Sequence, residues 1–252
     1  MLRETGRRAL VCYITAGHPD RARSGALLQG LAAAGADVIE IGVPFSDPVA
    51  DGPVIQASSQ TALRLGTTLD TALELVAEAR LTIPVVLFSY LNPVLAAGHD
   101  VLVRARTAGV SGVLITDLPV GADPGREEWF GRGPLDFVRL VAPTTPRSRM
   151  ADIARHGRGF VYLISRLGVT GVRDDVSDAL PAALARLREV CTLPICVGFG
   201  IAKPEHARQV GILADGIVVG SALVRAAEQS VERAVELAHD LRAALDELPP
   251  IG

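Results

Sequence analysis

Residues 9–43, ALVCYITAGHPDRARSGALLQGLAAAGADVIEIGV, contain two apolar runs separated by a segment with helical periodicity. The runs, ALVCYIT and DVIEIGV, are continuously apolar rather than alternating, which is typical of parallel strands covered on both faces. The turn YITAGHPD, which ends the first run, lacks the GxGxxG pattern that follows the first strand of doubly wound dinucleotide-binding sheets. The stretch therefore favours one unit of a β/α barrel.

The same alternation continues along the rest of the chain. Six further β-rich runs bring the total to eight: PVVLFSY, GVLITDL, DFVRLVA, GFVYLIS, PICVGFG and DGIVVGS. Segments with helical periodicity lie between most of them, several with an acid or hydroxyl near the start and Gly or Pro at the end. Eight such units predict an α/β fold of the (β/α)8 TIM-barrel type. Because no linker or low-complexity segment divides the chain, we expect a single domain over residues 1–252.

Composition excludes several classes of function. A net charge of −3, without a basic cluster interleaved with aromatic residues, argues against nucleic acid as a partner. The apolar runs are shorter than the roughly 18 residues of a membrane span, and the first ten residues resemble no signal peptide, so we expect a cytoplasmic protein outside the membrane. Cys12, Cys191 and Cys196 are odd in number and lack a CxxC spacing, which predicts reduced thiols in the core.

Three acids lie at the end of the second run, in VIEIGVPFSDPVADGP. Chemistry in a barrel is found at the C-terminal ends of the strands. Glu40 can point into the barrel, where burial would raise its pKa towards the range useful for proton transfer; the alternative is an inward glutamate paired with Arg or Lys at the barrel base. Asp51 lies in a loop that returns to the same mouth, so two carboxyl groups with different roles are expected. For Asp47, the alternative to a functional role is a turn-forming role.

A metal site is not expected at these acids. The segment contains no histidine and no calcium-loop spacing. His18, just past the first run, can either line the mouth or serve in a loop, and the loop role is favoured. The remaining histidines are predicted to lie on the surface: His99, His156, His206 and His239.

Glycines recur where three later runs end, in GVTG (168–171), GFG (198–200) and GS (220–221). Glycine lets backbone N–H groups approach an anion, and barrels often bind phosphate after strands seven and eight. Thr170 and Ser221 accompany these glycines, so we predict a phosphate site. The predicted lining between phosphate and acids is apolar or aromatic, which suggests a phosphate ester with a flat apolar body: Tyr13, Leu114, Tyr162 and Phe199.

Six blocks of the sequence resemble, in their order, the tryptophan synthase α subunit family. They are IEIGVPFSDPVADGPVIQ, YLNPV, VAPTTP, GFVYLISRLGVTG, VGFGI and VVGSAL. The resemblance runs from about residue 9 to the C-terminal helix. It implies aldol cleavage of indole-3-glycerol phosphate to indole and glyceraldehyde-3-phosphate, without a metal or organic cofactor.

The resemblance also implies roles for individual residues. Glu40 matches the family's proton-transferring glutamate, and Asp51 matches the aspartate that hydrogen-bonds the indole N–H. Tyr162 matches a positioning tyrosine near the glutamate, and Thr170 matches a threonine on a mobile loop that contacts the aspartate when the site closes. The residues that match the phosphate-binding positions are Gly171, Gly200, Gly220 and Ser221.

A partner is implied as well. Members of the family dock on a β subunit that carries pyridoxal phosphate and receives indole through a channel, in an α2β2 heterotetramer. Asp47, Asn92 and Pro93 match positions near that interface. Two alternatives remain open: a stand-alone indole-3-glycerol-phosphate lyase that releases free indole, and a non-catalytic activator of a β subunit. The loop LPVGADPGREEWFGRGP, which differs from the family's usual pattern, gives mild support to the stand-alone lyase as the second choice.

Overall fold

The computed structural model describes residues 6–164, 179–198 and 200–251. The strands in these residues are β1 (Ala9–Thr15), β2 (Val38–Gly42), β3 (Val85–Ser89), β4 (Val110–Ile115), β5 (Asp136–Val141), β6 (Val161–Ile164), β7 (Ile195–Gly198) and β8 (Gly216–Val219). The helices are α1 (Arg21–Ala33), α2 (Pro53–Arg64), α3 (Leu69–Ala79), α4 (Leu91–Ala96), α5 (Val101–Ala108), α6 (Pro124–Arg132), α7 (Arg147–Arg155), α8 (Ala179–Arg188), α9 (Pro204–Gly211), α10 (Ser221–Gln229) and α11 (Val231–Asp246).

The strands form one closed barrel in chain order, and all the pairings are parallel. Closure is made by β1, in which Cys12 pairs with Ile39 of β2 on one side and with Val219 of β8 on the other. The predicted (β/α)8 barrel is confirmed. All eight runs that the sequence marks as β-rich contain a strand, although β4 begins at Val110, two residues before the run begins at Gly112.

Alternation along the strands divides the core into two parts. Successive side chains point to opposite faces of a strand, so Val38 and Glu40 share the inner face of β2 while Ile39 and Ile41 share the outer face. The outer residues pack against the helices in the larger apolar cluster. The inner residues form a second, smaller apolar cluster that fills the barrel: Ala9, Val11, Val38, Val86, Leu114, Val138, Phe160, Cys196 and Val218.

Several helices begin at the capping residues that the sequence indicates. Asp20 accepts a hydrogen bond from the N–H of Arg23 at the start of α1, and Ser230 accepts one from the N–H of Arg233 at the start of α11. Such caps satisfy N–H groups that have no partner within the helix. Helix α10 differs, because Gly220 precedes it and offers no side chain to cap it.

The base of the barrel is held together by Asp37, just before β2. Its Oδ2 accepts hydrogen bonds from the N–H of Leu10 (2.8 Å) and from Nη1 of Arg242 on α11 (3.1 Å). Its Oδ1 accepts one from Nη2 of Arg7 (2.5 Å), and Arg242 also donates to the carbonyl of Arg8 (2.8 Å). The last helix is thereby bonded to the first two strands, and we refer to these residues as the base clamp.

Two further predictions can be compared with the described residues. No helix among them is long and apolar enough to cross a membrane. Cys12, Cys191 and Cys196 are buried thiols, which confirms the prediction that they lie in the core.

Candidate active site

A cavity of about 560 Å³ lies where the strands end and the loops begin. Inward side chains of the barrel form its floor and walls, and the start of α10 forms one side. The residues that line it are Tyr13, Glu40, Ala50, Asp51, Gly52, Pro53, Ile55, Phe88, Thr116, Leu140, Tyr162, Ile164, Gly198, Gly200, Ile201, Ala202, Val218, Gly220, Ser221, Ala222 and Arg225.

Glu40 lies in this cavity with 0% of its surface exposed. In the sheet it is the neighbour of Tyr13 on β1 and Val86 on β3. Neither carboxyl oxygen has a hydrogen-bond partner among the described residues, and burial raises the pKa of Glu40 to about 8. The carboxyl group is therefore mostly protonated at neutral pH, as a proton donor must be. Because Glu40 has no partner among the described residues, it is not the base-paired glutamate of the alternative interpretation; at the base, Arg242 pairs with Asp37 instead.

Asp51 enters the cavity from the loop between β2 and α2. Its Oδ2 accepts a hydrogen bond from the hydroxyl of Tyr90 (3.1 Å). Burial raises the pKa of Asp51 to about 6, and the hydrogen bond from Tyr90 opposes that rise. Asp51 is thus mostly ionised at neutral pH, while Glu40 is mostly neutral. One cavity holds an acid and an anion, which is the arrangement expected where two carboxyl groups have different roles.

Two tyrosines on the inner face of the barrel depend on glycines of neighbouring strands. A Cβ atom added to Gly42 would lie 2.1 Å from the hydroxyl of Tyr13, and one added to Gly198 would lie 2.2 Å from the hydroxyl of Tyr162. No side chain could be accommodated there without moving a ring. Burial raises the pKa of both tyrosines far above its usual value, so they remain neutral.

The start of α10 forms the side of the cavity that suits an anion. The first hydrogen bond of this helix runs from the N–H of Val224 to the carbonyl of Gly220 (3.0 Å), which leaves the N–H groups of Ser221 and Ala222 without acceptors in the helix. Such N–H groups favour negative charge. Arg225, one turn further along α10, is the only Arg, Lys or His among the described residues of the lining.

The structure brings most of the predicted site residues to this one cavity. Those that line it are Glu40, Asp51, Tyr13, Tyr162, Gly200, Gly220 and Ser221. Leu114 does not line it; this residue is 0% exposed in the inner core, and Thr116, which directly follows β4, lines the cavity instead. Thr170, Gly171 and Phe199 lie outside the described residues.

Sequence reasoning did not single out several other residues of the lining, among them Ile55, Phe88, Thr116, Leu140 and Arg225. A signal exists for some of them. Phe88 and Leu140 lie two residues after Val86 and Val138, which point into the barrel, so strict alternation would have identified both. Arg225 follows Ser221 at a spacing of four and so shares its face of α10.

The predicted partner-facing residues lie in the segments after β2 and β3. Asp47 is exposed and accepts a hydrogen bond from the hydroxyl of Ser46 (2.5 Å). Asn92 is exposed and Pro93 is half-buried at the start of α4. Val49, two residues after Asp47 in the chain, is an apolar side chain that is 85% exposed. These segments follow strand ends and therefore lie on the same side of the barrel as the cavity.

The histidines are not all where the sequence predicts. His99, His156 and His239 are exposed, which confirms the prediction, but His206 is buried and the prediction for it is wrong. The sequence around His206 is polar, but helix α9 turns this side chain towards Ala202. Its Nδ1 accepts a hydrogen bond from the N–H of Ala202 (3.4 Å). His18 is buried and is not part of the cavity lining. Among the described residues, no three of His, Cys, Asp or Glu are arranged to hold a metal ion.

Comparison with known proteins gives one consistent result. A family profile described as "Tryptophan synthase alpha chain" matches residues 1–249. The tryptophan synthase alpha chain of Geobacter sulfurreducens is 46% identical, with 90% of this chain and 88% of that one covered. The alpha chain of Synechococcus elongatus is 44% identical over 100% of this chain and 96% of that one.

Solved structures agree in fold. Tryptophan synthase from M. tuberculosis, in its open form, superimposes with a TM-score of 0.88 at 34% identity, covering 97% of this chain and 95% of that chain. The alpha subunit from Legionella pneumophila gives a TM-score of 0.88 at 34% identity, covering 98% and 96%.

Proposed function

This chain belongs to the tryptophan synthase alpha chain family and is a lyase that cleaves indole-3-glycerol phosphate into indole and glyceraldehyde-3-phosphate, and we propose that Glu40 and Asp51 perform the chemistry. The observation that supports this assignment is the pair of carboxyl groups in one cavity, one mostly protonated and one mostly ionised at neutral pH. The direct test is release of indole by the purified chain supplied with the substrate alone.

In the proposed mechanism, Glu40 donates its proton to C3 of the indole ring. Protonation creates an indoleninium cation, and the carboxylate of Asp51 stabilises it by accepting a hydrogen bond from the ring N–H. The carboxylate left on Glu40 then takes the proton of the hydroxyl on the adjacent side-chain carbon. As the aldehyde C=O forms, the C–C bond breaks and its electron pair restores the neutral ring. Glu40 ends protonated, so atoms and charge balance over one turnover.

The rest of the cavity suits the two ends of this substrate. We assign the phosphate to Gly200, Gly220 and Ser221, where backbone N–H groups and the start of α10 favour an anion. The aromatic ring of Phe88 and the aliphatic side chain of Leu140 supply an apolar surface for the indole. Tyr162 is assigned a positioning role, and the chemistry requires no metal or organic cofactor within this chain.

We further assign this chain a β subunit as partner, in an α2β2 assembly whose pyridoxal phosphate belongs to that subunit. Asp47, Asn92 and Pro93 are the proposed contact residues, because they match family positions near that interface and lie in segments that follow strand ends. A cognate β subunit should co-elute with the chain and raise its turnover. Full turnover without co-elution would instead identify a stand-alone lyase.

The two carboxyl groups predict a bell-shaped dependence of kcat on pH. Turnover should fall as the pH drops below about 6, where Asp51 becomes protonated, and as it rises above about 8, where Glu40 loses its proton. The measurement is kcat at saturating substrate, because the substrate phosphate also titrates, with a second pKa of about 6, and would affect binding. A kcat that keeps rising beyond the basic limb would contradict the role of Glu40 as an acid.

Arg225 should contribute to binding of the phosphate. Replacing Arg225 by Gln should raise KM roughly tenfold and change kcat little, because a charged hydrogen bond to a group distant from the reacting bond is lost. A matched control is Arg233→Gln, which removes the same charge from an exposed residue of α11 that pairs with Glu236 (3.0 Å) outside the cavity. Equal KM values for the two variants would exclude Arg225 from the phosphate site.

A further inference from the structure

We propose that Tyr90 is a positioning residue that acts through Asp51, holding the carboxylate of Asp51 in its working orientation inside the cavity. The proposal rests on the role given above to Asp51. Tyr90 itself is not part of the cavity lining among the described residues, so it is not assigned a contact with the substrate.

The hydroxyl of Tyr90 makes two hydrogen bonds to consecutive residues of the loop. It donates to Oδ2 of Asp51 (3.1 Å) and accepts from the N–H of Ala50 (2.9 Å). One atom therefore fixes both the side chain of Asp51 and the backbone just before it. Other hydrogen bonds near Asp51 are local, from the N–H of Asp51 to the carbonyl of Pro48 (3.0 Å) and from Gln56 to the carbonyls of Asp51 (2.9 Å) and Pro48.

Tyr90 is well placed to hold a loop because it is itself rigidly held. It is 2% exposed, follows β3 directly and precedes α4. Its ring packs on that of Phe45, with ring centroids 5.0 Å apart. Its neighbours on both sides are bonded, since Ser89 donates to the carbonyl of Tyr90 (2.9 Å) and the N–H of Leu91 donates to Asp117 (2.8 Å). The barrel wall thus fixes the hydroxyl, and the hydroxyl fixes the loop.

The protonation states agree with this role. Burial raises the pKa of Tyr90 to about 12, so its hydroxyl keeps the proton that it donates. A hydrogen bond to the ionised form favours that form, and the bond from Tyr90 accordingly lowers the pKa of Asp51 against the effect of burial. The other titratable groups that interact with Asp51 are Tyr13 on β1 and Tyr162 on β6, both neutral.

Two more charged groups of the lining must be considered. They are Arg225 on α10 and Glu40 on β2, whose carboxyl group is mostly neutral below the basic limb. Glu40 therefore does not change charge across the acid limb of the profile. A change in that limb when Tyr90 is altered can therefore be assigned to Asp51.

The test is Tyr90→Phe, which keeps the ring and its packing on Phe45 and removes only the hydroxyl. We expect kcat at neutral pH to fall about tenfold, since a hydrogen bond to a charged group is lost, with little change in KM. We also expect the acid limb of the kcat profile to move to higher pH, because Asp51 without its donor is harder to ionise. The substrate phosphate titrates equally in both proteins, so the difference between them excludes its contribution.

A matched control separates orientation of the carboxylate from general support of the loop. Gln56→Ala removes the bonds to the backbone carbonyls of Asp51 and Pro48 but leaves the side chain of Asp51 with its donor. It should leave the acid limb unchanged. An equal shift in both variants would show that loop support alone is responsible and would overturn the proposal, as would a Tyr90→Phe profile identical to that of the wild type.

A double-mutant cycle completes the test. If Tyr90 acts through Asp51, then adding Tyr90→Phe to Asp51→Asn should cost little further turnover. A full additional tenfold loss would mean that Tyr90 acts by another route. The proposed function fails separately, if Asp51→Asn alone leaves turnover intact. Thermal unfolding of each variant checks that the barrel has formed.

Discussion

Replacing Glu40 with glutamine should reduce turnover of indole-3-glycerol phosphate by about 100-fold or more and leave substrate binding nearly unchanged. Glutamine keeps the size of the side chain but cannot donate a proton and then take one back. The site suits this substitution, because Glu40 is fully buried without a hydrogen-bond partner among the described residues, so no existing contact is broken. The measurements are kcat for indole release and the dissociation constant of the substrate.

The binding measurement decides how the result is read. A variant that binds substrate normally and does not cleave it has lost a chemical step, whereas a variant that fails to bind has lost the shape of its cavity. Inhibition by glycerol phosphate gives a second check on the α10 side of the cavity. Retention of more than about a tenth of wild-type turnover would remove Glu40 as the acid-base group, because general acid-base catalysis typically contributes at least 100-fold.

Asp51→Asn should lower kcat by a similar amount, on the order of 100-fold. The amide keeps the volume and can still accept the bond from Tyr90, but it is neutral and cannot offset the positive charge that develops on the indole ring. The acid limb of the pH profile should disappear with the titrating group. The measurement is kcat across the pH range, with the substrate concentration kept saturating.

A charge-matched control strengthens that experiment. Asp240→Asn removes one negative charge from an exposed position of α11 and should behave as the wild type does. If Asp51→Asn retained an acid limb near 6, that limb would belong to another group, and the assignment of Asp51 as the anion would fall.

Local patterns were sufficient to predict the barrel and the end of it at which the cavity lies. Continuous apolar runs separated by helical segments mark a parallel sheet covered on both faces, and in a barrel the ends of the strands meet at one mouth. Glu40 and Asp51 could be identified because one lies inside a strand and the other in the loop that follows it. Gly220 and Ser221 could be identified because a strand end there runs directly into a helix.

Other features depend on contacts that no local pattern encodes. Tyr90 and Asp51 are 39 positions apart, and their hydrogen bond exists only because the loop after β2 folds over the end of β3. Leu114 lies within β4 and Thr116 just after it, so which of the two reaches the cavity depends on where β4 ends against the neighbouring strands. His206 looked polar and exposed in the sequence, but packing of α9 decides its burial.

The base clamp has a consequence for how this chain folds during synthesis. Arg242 reaches Asp37 across 205 positions of sequence and reaches the carbonyl of Arg8 across 234. Contacts of such long range form late, because a large loop must close before they stabilise anything. The first strands therefore emerge well before the helix that fixes them, and until α11 is made their apolar faces lack the cover of Leu241 and Leu245. The nascent barrel has to remain unaggregated through that interval. Docking of α11 is the step that ends the exposure of these apolar faces.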